Sequence, residues 1–358
     1  MIYNYEPIIE HDDINHVVSC LKEGIANPKH VLDLEKNLSN KFNVKSLSCI
    51  SGTAALHMSL LALGVGKGDE VICPEMTFAS TWNAIIYVGA KPVFVDICPD
   101  TWCLDHLKVK EKITRRTRAI ITVDIFGNPC RYDELQKICK ANNLYLIIDG
   151  AESLGSSYKG QSIFSFGDIA ITSFNLNKII TSCGGGAIFT NNNELLNIIN
   201  RLRNQNKIDG KYDYYGLGYN YRIGSINAAI VNSQLTKIDD TIKRKKDIAN
   251  QYRNLLNCQN IAFQKDQDSS IPNYWLNVVK FKDKEKRDNV LNALCTNNIE
   301  AKLTFKPASS VNWLKQKYNL KQKEIACNLY NRCLALPSSK NLSNNDISLI
   351  CTVVKKNN

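Results

Sequence analysis

From about residue 45 to residue 190, short apolar runs alternate with longer amphipathic stretches, a pattern that restricts the chain to an α/β fold around a mostly parallel sheet. Seven runs read as strands: Ser46 to Ile50, Glu70 to Cys73, Pro92 to Asp96, Ala119 to Asp124, Leu144 to Asp149, Ile169 to Phe174 and Ala187 to Thr190. Between them, Ala54 to Leu63, Trp82 to Val88 and Tyr132 to Ala141 read as helices. The first is apolar on nearly every side, which places it in a core. Further helices are expected at Glu194 to Arg203 and Asn227 to about Leu235. Between these two lies the stretch KYDYYGLGYNYR, too rich in aromatics for a simple linker.

The length, 358 residues, leaves room for a second domain. Beyond Ile238 the composition shifts to a lysine-rich helix, TIKRKKDIANQYRNLL, followed by strands and helices in less regular order. The expected division is a large domain with an N-terminal arm over 1–235 and a smaller α+β domain over 236–358.

Forty-five Lys and Arg against 34 Asp and Glu give a formal charge of +11, which favours an acidic partner: nucleic acid, an anionic membrane or a phosphorylated small molecule. The KRKK run at Lys243 to Lys246 sits near Asp239, Asp240 and Asp247 on a predicted helix and reads as a solvated face, not a nucleic-acid surface. The N-terminus MIYNYEPIIEHDD is acidic, and no stretch approaches the roughly 18 to 20 apolar residues of a membrane span. The 13 cysteines are odd in number and form no C-x-x-C pair; they read as reduced and mostly buried, in a cytoplasmic protein.

Three features fall where predicted strands end, the place at which open α/β sheets bind ligands. Ser51-Gly52-Thr53-Ala54-Ala55 follows a strand and opens a helix, so free N–H groups and the helix dipole can receive a phosphate; an ordinary N-cap with a glycine turn looks the same. Asp149 ends the apolar run LYLIID, as a turn aspartate also would. Lys178 lies in TSFNLNKIITSCGGGA, between Ser173 and the glycines 184–186. Together the amine, the carboxylate and the phosphate donors suit pyridoxal phosphate, which needs a lysine for its Schiff base and an acid beside its pyridine nitrogen. A nicotinamide fingerprint is missing, because Gly64, Gly66 and Gly68 follow a helix and precede a strand.

These motifs, in the order SGTAALHMSLLALGVGKGDEVICPEMTF, KPVFVDI, LIIDGAESLGSSYKG, FGDIAITSFNLNKIIT and LGYNYRIGSINAAI, resemble the DegT/DnrJ/EryC1/StrS sugar aminotransferases. The resemblance runs from about Pro28 to Tyr252 and is looser beyond, through NYWLNVVKF and LALP. It implies the aspartate aminotransferase type (fold type I): a three-layer α/β/α large domain with a mixed seven-stranded sheet, plus the smaller domain. It also implies pyridoxal phosphate as cofactor, with Lys178 as the Schiff-base lysine and Asp149 on the pyridine nitrogen. Gly52, Thr53 and Ser173 resemble phosphate ligands, Phe78 the ring-stacking aromatic and Glu152 a group near the ring hydroxyl. Asn220 resembles a residue that reaches the cofactor of a neighbouring subunit, which requires a homodimer.

The implied reaction moves the amino group of L-glutamate to C4 of a nucleotide-linked 4-keto-6-deoxyhexose, with UDP or TDP favoured. Cys183-Gly184-Gly185-Gly186 resembles the Ser-Gly-Gly-Gly of enzymes acting on UDP-linked N-acetylhexosamines, while ANPKH and TFKPASS depart from the usual pattern around the sugar. A 3-aminotransferase and a 3-dehydratase of the same family remain alternatives. The dehydratases carry histidine at the lysine position, and all five histidines here lie between His11 and His106. A non-catalytic regulatory protein that binds the same cofactor is the different-class alternative.

Overall fold

A computed structural model describes residues 1–208 and 211–358. Its strands are β1 Ser46–Cys49, β2 Glu70–Pro74, β3 Lys91–Val95, β4 Thr117–Val123, β5 Tyr145–Asp149, β6 Ser157–Tyr158, β7 Gln161–Ser162, β8 Ile169–Ser173, β9 Gly186–Phe189, β10 Ala262–Phe263, β11 Ser270–Ile271, β12 Asn277–Lys280, β13 Lys302–Leu303 and β14 Cys333–Leu336. Seven of them form one sheet in the order β1-β9-β8-β5-β4-β2-β3. Neighbours pair in parallel from β8 to β3, whereas β9 runs antiparallel to both β8 and β1.

Both faces of this sheet are covered, which explains why its strands read as continuous apolar runs. Every residue of β2, β8 and β9 is buried. The apolar helix Gly52–Ala62 lies in the core on one face, with Leu56, Met58 and Leu60 all but inaccessible. The helices Tyr132–Asn142 and Lys29–Phe42 turn Leu135 and Ile138, and Leu34 and Leu38, into the core of the other face. Each of the seven expected strands is present within two residues of its sequence bounds, and the fold is the expected α/β/α arrangement with a mixed sheet.

After the helix Ser225–Leu235 the long helix Ile238–Leu255 leads into an antiparallel sheet, β10-β12-β14-β13. The helices Lys284–Thr296 and Asn344–Asn357 pack with it around a separate core that holds Ile248, Tyr252, Val279, Leu294, Leu334 and Ile350. Here the KRKK reading needs correction. Lys243 and Lys246 are exposed, but Lys245 is buried, because its position on the helix shares the inward face of Ile248 and Tyr252. Among the described residues no helix is long and apolar enough to cross a membrane.

Candidate active site

Because β1, β2, β4, β5 and β8 point the same way, their carboxyl ends open on one edge of the sheet. A cavity of about 370 Å³ lies there. On its floor β5 presents Asp149 as its last residue and β8 presents Ser173 as its last.

Beyond β1, Ser51 caps the helix Gly52–Ala62 by accepting the N–H of Ala54 at 3.1 Å. The N–H groups of Gly52 and Thr53 precede any intrahelical acceptor, and both residues line the cavity. The approach of this helix start to the sheet leaves no space for side chains. A Cβ on Gly52 would stand 3.0 Å from Ser173 Cβ, and one on Gly186 only 2.8 Å from the Gly52 nitrogen. The result is a shallow cradle at the positive end of a helix, shaped for a phosphate.

Asp149 is 4% exposed. Its Oδ2 accepts the Thr81 hydroxyl at 2.9 Å and its Oδ1 the N–H of Ala151 at 3.3 Å, while Thr81 in turn lies 2.8 Å from the Thr77 hydroxyl. Burial pushes its carboxyl above the ordinary range, and the hydrogen bonds and the Lys178 charge act against that. Glu152 is buried as well: Oε2 accepts the Phe126 N–H at 2.7 Å, and burial raises its carboxyl to about 7.

Lys178 leaves β8 in the loop toward β9, and its Nζ comes to rest 3.7 Å from Glu152 Oε1 and 4.1 Å from the centre of the Trp275 ring. Burial lowers its proton affinity, and the charges of Glu152 and Asp149 oppose the shift. Its backbone is held at both ends: Lys178 N donates to Asn175 O at 3.0 Å, and the Tyr5 hydroxyl donates to the Lys178 carbonyl. An amine with reduced proton affinity, largely shielded from solvent, is fitted to attack a carbonyl and to move protons.

Gly52, Thr53, Phe78, Asp149, Glu152, Ser173 and Lys178 therefore line one cavity. Phe78 is 56% exposed and meets Phe305 edge-on at 5.9 Å; it is no core phenylalanine. Asn220 stands apart, exposed and bridged to Asn204, and lines no part of this cavity. Pyridoxal phosphate fits the groups present: a side-chain-free cradle for its phosphate, a buried carboxylate for its ring nitrogen and a buried amine for its aldehyde. Thr81, Trp275 and Phe305 were not foreseen. Thr81 carried one weak signal, its spacing of four from Thr77 at the start of a helix; Trp275 and Phe305 reach the cavity from more than 200 residues beyond the cradle, and although they lie in NYWLNVVKF and TFKPASS, nothing in those segments singled them out.

The model of the DegT/DnrJ/EryC1/StrS aminotransferase family matches residues 7–355. GDP-perosamine synthase of Escherichia coli O157:H7 is 34% identical over 98% of this chain and 97% of its own length. UDP-4-amino-4,6-dideoxy-N-acetyl-beta-L-altrosamine transaminase of Campylobacter jejuni is 29% identical over 96% and 93%. Among solved structures, the PMP-form of Spr1654 from Streptococcus pneumoniae superposes with a TM-score of 0.92 at 27% identity, covering 98% of each chain.

Proposed function

This chain belongs to the DegT/DnrJ/EryC1/StrS aminotransferase family, whose cofactor is pyridoxal phosphate, and from that premise we propose that it transfers the amino group of L-glutamate to C4 of a nucleotide-linked 4-keto-6-deoxyhexose. The observation that carries the reading is one lysine, its side chain 12% exposed, sharing a cavity with two buried carboxylates beside a helix-start cradle. The division into a cofactor-binding part, 1–235, and a smaller part, 236–358, belongs to the same proposal.

The bound cofactor supplies an electron sink that makes a proton on the adjacent carbon removable. Lys178 Nζ would take that proton from the amino-acid Cα and deliver it two atoms along, to the carbon on the far side of the nitrogen, and the second half-reaction would run the same transfer backwards on the sugar. The hydrogen bonds from Thr81 and the Ala151 N–H favour the charged form of Asp149 against its burial, and that charge would keep a positive charge on the group it faces. Glu152 stands 3.7 Å from Lys178 Nζ, where it receives or yields a proton as the amine changes charge. Gly52, Thr53 and Ser173 would hold the phosphate, and Phe78 would offer its ring for stacking.

GDP stands beside the UDP and TDP favoured by the motif resemblance, because a relative 34% identical over 98% of this chain carries GDP in its name. Two copies complete the site in this reading. Ile50, Phe78, Leu176, Tyr215 and Leu217 are exposed, an apolar set that a second subunit would cover while bringing its Asn220 to the phosphate. All 13 cysteines are unpaired, which supports a reducing compartment such as the cytoplasm.

The test is to incubate the cofactor-loaded protein with L-glutamate and, in turn, GDP-, UDP- and TDP-linked 4-keto-6-deoxyhexoses, with the product identified by mass and NMR. An amine at C4 is expected with one nucleotide. Amination at C3, loss of the C3 hydroxyl, or a visible band indifferent to glutamate each defeats the proposal in a distinguishable way.

A further inference from the structure

Lys245 is a second buried lysine, 1% exposed, on the helix Ile238–Leu255. Its Nζ donates to the Trp275 carbonyl at 2.9 Å and to the Ser338 carbonyl, and it lies 5.1 Å from the centre of the Tyr5 ring. Both acceptors are main-chain carbonyls. Burial lowers its proton affinity to about 7. An ammonium so placed is costly to desolvate, and an apolar side chain of the same length would fill the space without that cost. What the apolar chain lacks is a pair of strong donors that join the helix, the segment before β12 and the segment after β14.

Two of the groups it holds touch Lys178. The Trp275 ring covers Lys178 Nζ at 4.1 Å, and its Nε1 donates to the carbonyl of Asn177, the residue before the lysine. The Tyr5 hydroxyl donates to the carbonyl of Lys178 itself. From Lys245 to the active-site lysine there are thus two routes of one residue each.

We propose that Lys245 is a positioning residue for Lys178, fixing the Trp275 ring over its amine and the Tyr5 hydroxyl on its carbonyl so that the amine keeps one location between half-reactions. The inference rests on the reading of Lys178 as the cofactor lysine.

The experiment uses the cofactor-loaded full chain and the glutamate half-reaction, followed through the visible absorption band in single turnover. Lys245→Met should still bind the cofactor, yet show a displaced pH midpoint of that band and a half-reaction slowed about tenfold or more, with the apparent Kd for glutamate unchanged. Lys245→Arg should restore most of the rate. Tyr5→Phe should slow the wild type more than it slows Lys245→Met, since residues on one route are not additive. Lys245→Gln, which keeps an amide donor, is the milder variant should the methionine variant not fold. A wild-type rate and band midpoint in either folded variant, or strict additivity with Tyr5→Phe, overturns the proposal. Turnover retained by Lys178→Ala would instead sink the reading of Lys178 beneath it.

Discussion

The two sides of the cavity are built in different ways. On the sheet side, Asp149, Ser173 and the Gly52 cradle are fixed by strand ends, whose backbone is hydrogen-bonded within the seven-stranded sheet. On the facing side, Trp275 and Phe305 come from the region after residue 238, and the Trp275 carbonyl is held by the Lys245 side chain, while Tyr5 of the N-terminal segment bonds the Lys178 carbonyl from outside the cavity. The facing side can be rearranged without touching the sheet, which suits it to substrate selection, and the sheet side to the chemistry common to all substrates.

The contrast breaks first if the sheet side proves dispensable. Lys178→Ala should lower both half-reactions by about a thousandfold or more while cofactor still binds, with single-turnover absorbance as the measurement. Asp149→Asn keeps the shape and the Thr81 contact but removes the charge, and should cost about a hundredfold in rate. Gly186→Ala would drive a Cβ to 2.7 Å from the Thr172 carbonyl and should destabilise the protein by about 2 kcal/mol or more, read from urea unfolding.

Glu152 sharpens the contrast through pH. Its carboxyl is raised to about 7 in the folded protein, so the folded state keeps a proton that the unfolded chain releases near 4.5. The stability this proton confers is complete below about 4.5 and is lost as pH rises through about 7. Glu152→Gln should therefore gain stability relative to wild type across that window, by roughly 1 to 3 kcal/mol in the cofactor-free protein. The smallest effect belongs to the facing side. Phe305→Leu should raise KM for the sugar nucleotide about threefold and leave the glutamate half-reaction unchanged.

The same contrast governs what the sequence made legible. Asp149, Ser173 and the Ser51 cap could be located because a buried parallel strand is a continuous apolar run, and its last polar residue marks the sheet edge. Lys178 followed from its place after such a run. Trp275 and Phe305 lie in irregular backbone, just before β12 and just after β13, where no periodic pattern marks a residue, and their contact with the cavity depends on how distant parts of the chain pack. Lys245 was misread for a related reason. A run of four basic residues on a helix must cover more than one face, and local charge does not say which member turns inward.

One consequence of the reversed strand β9 concerns time. Because β9 begins at the edge where β8 ends, the loop carrying Lys178 is tied to the sheet at both ends, at Ser173 and at Gly186. The lysine's own N–H and carbonyl are bonded too. In the proposed reaction, travel of its amine between partners would be a matter of side-chain torsions and would need no loop to open, which puts that step on the timescale of rotamer exchange.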